Sequence, residues 1–350
     1  MTLLLLWLQL AGLAAIILIA ANFLTKSADI IAFKTGLGRA FIGVVLLATA
    51  TSLPELGTGV SSVALVGTPD LAAGDAFGSN VFNLLIIGLL DLFWRRGPIL
   101  TTVGSASKVV AFLGIILIAL AGAAVLIHSG NEILSNWYLS PVSLVMLVVF
   151  FVAMYVTFRV EKSQEPDQEL DQDQEQEQGH EYAEQGHEYA SARLHRSVVS
   201  YLVAASFVVG AAIWLAETGD RLAVEMGWEA SFVGTQFLAF STSLPELAAS
   251  FAAIRLRAPE LAITAVLGSN IFNMGFILFM DDVAFTEGVF WSAISNVHAI
   301  TAAVAILMTL VVIIGMIKRV RARPAKWWTV EALALIGLYI AGSILVLYLG

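Results

Sequence analysis

Thr51-Ser52-Leu53-Pro54-Glu55 lies deep inside a long apolar run, and Thr242-Ser243-Leu244-Pro245-Glu246 lies inside another. Downstream of the first comes Gly78-Ser79-Asn80-Val81-Phe82-Asn83. Downstream of the second, at nearly the same distance, comes Gly268-Ser269-Asn270-Ile271-Phe272-Asn273. A carboxylate in the middle of a membrane span costs at least about 2.5 kcal/mol. Two of them in matched positions need a compensating interaction, and bound cations would supply it.

The surroundings support a membrane setting. Of 350 residues 59% are hydrophobic and 13% charged, which excludes an ordinary soluble protein. There is no cysteine, so neither disulfides nor thiolate metal sites are available. The net charge of -9 is weighted by one segment, Glu161 to Glu188, and implies no nucleic-acid partner. Met1 to Phe23 is almost wholly apolar without a positive n-region, and reads as a retained first helix and not as a signal peptide.

Runs of roughly 20 apolar residues occur at 3–25, 38–66, 70–94, 107–127, 139–160, 197–217, 230–256, 259–281, 288–316 and 328–349. The fold class expected is therefore an all-α polytopic membrane protein of ten spans, five in 1–160 and five in 197–350, around a polar linker, 161–196. Lys26, Lys34, Arg39, Arg95, Arg96, Lys108, Arg159, Lys162, Arg193, Arg196, Arg255, Arg257 and the cluster Lys318 to Lys326 then all fall on one side of the membrane. Of the 18 Lys and Arg only Arg221 falls on the other. By the positive-inside rule the linker is cytoplasmic and both termini are outside.

The two halves repeat one another. Gly43 and Gly234, and Pro54 and Pro245, are 191 residues apart; Ser79 and Ser269, and Asp91 and Asp281, are 190 apart. Equivalent helices are separated by five spans, an odd number, so the copies cross the membrane in opposite senses. Inverted repeats with broken helices near the midplane are a signature of secondary transporters. The linker is Gln- and Glu-rich and carries a tandem heptad, Glu177 to Ala183 and Glu184 to Ala190. It reads as a solvated tether, with a cation-sensing loop as the alternative. It makes no EF-hand, because counting from Asp171 the sixth position is Gln176 and the twelfth Tyr182.

Pro54 and Pro245 lack an N–H, so the carbonyls of Ala50 and Ser241 lose their helical partners. Freed backbone at membrane depth is tolerated where it lines a cavity. Thr51 and Ser52 share a helix face with Glu55, as Thr242 and Ser243 do with Glu246. Ser79 with Asn83, and Ser269 with Asn273, add a hydroxyl and an amide oxygen at i,i+4 spacing. This all-oxygen set suits hard cations such as Ca²⁺, Na⁺ or Mg²⁺, and does not suit zinc or copper. A lone Ser, Thr or Pro in such a helix usually bonds its own backbone or kinks it. Recurrence of the whole set, with intramembrane acids at its centre, argues for function.

These motifs resemble those of the cation/calcium exchanger superfamily, whose two inverted repeats carry T-S-L-P-E and G-S-N-x-x-N. The resemblance is close over 38–94 and 230–284. It implies an antiporter with Ca²⁺ and Na⁺ as transported ions, no cofactor, and alternating access by sliding of the first and sixth helices. It also implies Glu55 and Glu246 as central ligands, completed by Thr51, Ser52, Ser79, Thr242, Ser243 and Ser269, with Asn83 and Asn273 beside them. The carbonyls of Ala48 and Ala239 would serve sodium. Three departures stand out. Ala50 and Ser241 replace a glycine, Gly74-Asp75 and Thr264-Ala265 replace Gly-Asn, and some members carry Asp where this chain has Asn83 or Asn273. Asp75 is a candidate third carboxylate: either a structural, hydrogen-bonded acid or a proton-exchanging one. A Ca²⁺/H⁺ antiporter of the same fold is the nearest alternative. No repeated filter loop points to a channel, and Asp75, Asp91, Asp281 and Asp282 form no protease motif.

Overall fold

A computed structural model describes residues 3–35, 51–94, 96–129, 139–164, 192–255, 257–318 and 329–349. Regular structure among these residues is entirely helical. We number the helices α1 Leu3–Thr35, α2 Leu53–Val66, α3 Pro69–Phe93, α4 Ser105–His128, α5 Pro141–Gln164 and α6 Leu194–Met226, then α7 Ala230–Thr242, α8 Leu244–Arg255, α9 Pro259–Ala284, α10 Phe290–Ala293, α11 Val297–Lys318 and α12 Val330–Leu349. Eight of these are long and apolar enough to cross a membrane, and the bent pair α7–α8 makes up to nine. The shorter α2 begins where the chain before Thr51 lies outside the described residues.

Burial sorts the helices into layers. Within its most apolar window α3 is 83% buried and α9 72%, whereas α5 and α12 are 22% buried. The two helices that carry the Gly-Ser-Asn motifs therefore stand in the middle of the bundle. Around them Leu84, Ile87, Leu117, Ile118, Ile271, Ile277 and Met308 make one continuous core. Outward faces stay apolar, with Leu4, Phe23, Phe112, Phe151, Ile317 and Tyr348 more than half exposed, which suits a hydrocarbon environment.

The two longest helices, α1 and α6, lie side by side and antiparallel. Ser27 donates to Ser200 at 3.0 Å near one end, while Leu6 and Leu10 pack with Leu222 and Ala223 near the other. Both run past the apolar limits read from sequence, because residues after Thr25 and before Ser197 still continue the helix and bury Ser27, Ala28 and Ser197. Across the core, α3 meets α7 at its glycines. A Cβ on Gly74 would sit 2.9 Å from Gly234 Cα, and one on Gly78 only 2.4 Å from Thr235 O. Small residues four apart allow this backbone-to-backbone approach.

Two acids tie helix ends together by the same bond. Asp91 Oδ1 accepts from Ile99 N at 2.7 Å and Asp282 Oδ1 from Phe290 N at 3.0 Å, each eight residues on. Their second oxygens hold the starts of other helices: Asp91 takes Thr329 Oγ1 at 2.6 Å, and Asp282 takes Ser140 N at 2.9 Å and Ser143 Oγ at 2.6 Å. By bonding, Asp91 is thus matched by Asp282 and not by Asp281 as the sequence offset has it. The cause is a π turn at Asn273–Ile277, which puts one more residue into α9 than the unbroken α3 contains.

Candidate functional site

Both proline motifs break the chain in the same way. Ser52 has φ −94° and ψ 9°, and Ser243 has φ −88° and ψ 9°, just ahead of helices whose first turns contain Pro54 and Pro245. Each serine carbonyl then starts the next helix, accepting from Leu56 N and Leu247 N at 3.1 Å. At the second break the axis turns by 44°. The missing proline N–H and the steric demand of its ring account for both breaks. The result points Glu55 and Glu246 inward, 0% and 4% exposed.

The hydroxyls cross between motifs. Ser243 donates to Glu55 Oε1 at 3.0 Å, so the first glutamate is held by the second motif. Ser269 donates to Glu246 Oε1 at 3.1 Å and lies 3.0 Å from Ser52 Oγ. Half-buried Thr51 also hydrogen-bonds Glu246. Thr242 donates to Asp75 Oδ1 at 2.8 Å, which brings the third candidate acid into the same cluster. Asn83 Nδ2 donates to Asn270 Oδ1 at 2.9 Å, and Asn270 Nδ2 to Asn80 O at 3.3 Å. Ser79 faces Asp75 without a hydrogen bond of normal geometry, and Asn273 is buried with its amide unpaired. The carbonyl of Ala239, at the buried turn before the break, accepts from Ser243 N at 3.1 Å. Ala48 lies outside the described residues. The structure thus gathers the other twelve residues named from the sequence into one region between α2, α3, α7, α8 and α9.

What those residues leave unpaired defines the chemistry. Glu55 Oε2, Glu246 Oε2, Asp75 Oδ2, Ser79 Oγ, Asn83 Oδ1 and Asn273 Oδ1 are all buried without a hydrogen-bond partner. Leaving such an atom unsatisfied costs about 1–3 kcal/mol, and more for a charged group. Glu55 is within electrostatic reach of both Glu246 and Asp75, and among the described residues no Lys or Arg offsets any of the three. A buried cluster of acceptors with a surplus of negative charge is complementary to metal cations or protons. Among the described residues no three acids or histidines converge on one point, so each ion would take one or two carboxylates and neutral oxygens for the rest.

Sequence reasoning passed over part of this cluster. Asn80 and Asn270, the third residues of the Gly-Ser-Asn motifs, are buried with the rest, and Asn270 bridges α9 to α3. Asp281 is buried with both oxygens unpartnered and acts electrostatically on Asp75. An acid inside an apolar run is a signal in its own right. It was masked by pairing Asp281 with the structural Asp91.

The sodium/calcium exchanger protein family matches residues 5–159 and 196–348, on either side of the acidic linker. The chain belongs to that family. Among the similar proteins is inner membrane protein YrbG of Escherichia coli (strain K12), 25% identical over 263 residues that make up 75% of each chain. Among solved structures, the sodium-calcium exchanger NCX_Mj, soaked with Na⁺ and Sr²⁺, superposes with a TM-score of 0.59 at 18% identity, covering 97% of this chain and 98% of that one. Native YfkE gives a TM-score of 0.66 at 15% identity over 99% and 92%. The exchanger is thus a multi-pass membrane transporter with the fold of those structures.

Proposed function

We propose that this exchanger is an antiporter that moves Ca²⁺ across the membrane against Na⁺ by alternating access. One observation carries the reading. The two glutamates of the two Thr-Ser-Leu-Pro-Glu motifs lie in a single buried, acceptor-rich cluster, with Ser243 of one motif on Glu55 of the other. In this reading Glu55 and Glu246 supply the charge that offsets dehydration of a divalent ion. Thr51, Ser52, Ser79, Asn83, Thr242, Ser243, Ser269 and Asn273 supply neutral oxygens, and the carbonyls of Ala48 and Ala239 serve sodium. Both prolines leave a weak point at which each helix can hinge, and the α1–α6 pair is the element free to slide past it. Radioactive Ca²⁺ uptake into proteoliposomes under an imposed outward Na⁺ gradient tests this. Uptake driven by sodium is expected, and its absence in well-incorporated protein sinks the assignment.

A Ca²⁺/H⁺ antiporter is the second reading, and Asp75 favours it. Its bond to Thr242 places an extra carboxylate beside the glutamates, where a proton carrier is useful. An outward pH gradient imposed without sodium separates the two: uptake under it alone assigns the proton.

The reading includes ten spans as two inverted five-helix repeats, 1–160 and 197–350, joined by the cytoplasmic segment 161–196. The antiparallel α1–α6 pair and the shared Ser52/Ser243 geometry support it, as does the one-sided distribution of Lys and Arg. Cysteines placed singly at Ser135 and Ser163 in this cysteine-free chain are expected to react oppositely with an impermeant maleimide in intact cells. Ser135→Cys is labelled and Ser163→Cys is not; the reverse pattern inverts the topology.

A further inference from the structure

Of the buried aspartates in the described residues, Asp281 alone has neither oxygen hydrogen-bonded. Asp91 and Asp282 are fully engaged at helix ends, and Asp75 is bonded through Oδ1 to Thr242. An acid with no structural bond, at 0% exposure inside an apolar bundle, needs another source of compensation.

Its position says what that source is. A Cβ on Gly59 would meet Asp281 Oδ1 at 2.6 Å and Oδ2 at 3.0 Å, so the carboxylate packs against α2 at a residue whose missing side chain leaves room for it. Gly59 is one turn beyond Glu55. Thr58 precedes it, and Ser62 follows four residues after Thr58, on the same side of the helix. Both hydroxyls are 0% exposed and unpartnered. Helical spacing puts the unsatisfied oxygens of Glu55, Thr58 and Ser62 on the side of α2 where Gly59 meets Asp281.

Two π turns frame this contact, Ser62–Val66 in α2 and Asn273–Ile277 in α9. The second supplies the extra residue that lets Asp282 take the helix-capping bonds and turns Asp281 toward α2. Such turns recur at functional positions because they re-aim side chains at a cost in helix stability.

We propose that Asp281, with the hydroxyls of Thr58 and Ser62, forms a second cation position beside the Glu55–Glu246 pair, and that it takes a monovalent cation, Na⁺ or H⁺. The proposal deepens the antiporter reading by giving the coupling ion a place outside the divalent site. A single carboxylate with two neutral hydroxyls matches one positive charge, whereas Ca²⁺ takes six to eight oxygens, and among the described residues no group of three acids or histidines forms here. Among the described residues the groups facing Asp281 are acidic or neutral apart from one histidine, His128. Glu55 and Asp75 lie on α2 and α3, and Asp282 is its neighbour on α9. On the side of α5, Ser143 and Ser140 bond Asp282, with His128 of α4 behind Ser140. Among the described residues no Lys or Arg acts on Asp281.

Equilibrium binding of radioactive Na⁺ to the purified whole chain tests this, paired with proton uptake on acidifying sodium-free protein. Asp281→Asn is expected to lower the number of bound Na⁺ by one per chain if the position takes sodium. It lowers the number of protons taken up by one if the position takes H⁺. Wild-type numbers in both measurements, from folded and monodisperse Asp281→Asn, overturn the proposal. Thr58→Val keeps the carboxylate and serves where Asp281→Asn fails to fold. It is expected to weaken the monovalent ion about tenfold without changing the number bound, and unaltered affinity for both ions overturns the proposal equally. Neither measurement uses Ca²⁺, so a chain that transports no Ca²⁺ but loses this site in Asp281→Asn refutes the antiporter assignment alone.

Discussion

Glu55→Gln and Glu246→Gln are each expected to abolish Ca²⁺ flux in proteoliposomes while leaving a folded protein. Glutamine keeps the length and the acceptor oxygen, so Ser243 can still donate at position 55 and Ser269 at position 246, where they now bond at 3.0 and 3.1 Å. What is lost is one negative charge in a buried site. At an effective dielectric near 20, two unit charges about 4 Å apart interact by about 4 kcal/mol. A divalent ion in direct contact loses at least that much, so flux should fall by more than about a hundredfold. Ser79→Ala removes a neutral ligand and should cost about tenfold or less. Ser269→Ala lies between the two cases, because Ser269 contacts both Ser52 and Glu246. Near wild-type flux in either glutamine variant would remove the glutamates from the ion path.

That expectation rests on features visible in the sequence, and the comparison of the two motifs shows why. Intramembrane acids, hydroxyls at helical spacing and prolines are local signals, so Glu55, Glu246 and their Ser and Thr neighbours could be named without a structure. Contact between helices is not local. Nothing in the spacing says that Ser243 reaches across to Glu55 and not to its own Glu246, nor that Thr242 reaches Asp75. The π turns were illegible for a related reason. They leave composition unchanged and shift register by a single residue, and that shift moved the capping role from Asp281 to Asp282. Helix limits drifted where apolarity and helicity part company. α1 continues to Thr35 and α6 begins at Leu194, through polar residues that still pack on one another, as Ser27 does on Ser200. Once the bonds are known Asp75 reads plainly: the residue that departs from the family pattern has a specific partner, Thr242, supplied by the other motif.

The glycines of the two Gly-Ser-Asn motifs should respond oppositely to the same change. A methyl group added at Gly78 would lie 2.4 Å from Thr235 O, 2.6 Å from Thr235 Cα and 2.9 Å from Ala239 Cβ. Two of those atoms are backbone, in or beside the π turn Gly234–Leu238, and cannot swing aside as a side-chain tip can. Gly78→Ala therefore forces α3 and α7 apart or distorts one of them. Overpacking of this kind costs about 1–3 kcal/mol, and the shift falls where flux is most sensitive. Thr242, one turn beyond Ala239's neighbour Leu238, would lose its 2.8 Å bond to Asp75, and Ser243 its hold on Glu55. At Gly268, the matching glycine of the other motif, an added Cβ meets nothing within 4 Å. Gly268→Ala should melt within about 0.5 kcal/mol of wild type, or higher, because alanine favours the helix. Thermal unfolding in detergent, followed by tryptophan fluorescence, compares the two directly, and Ca²⁺ flux supplies the functional readout. Gly78→Ala is expected to melt well below Gly268→Ala and to lose flux with it. Equal melting temperatures would mean that the α3–α7 crossing is looser than its glycines require, and that the bonds from α7 to Asp75 and Glu55 form without it.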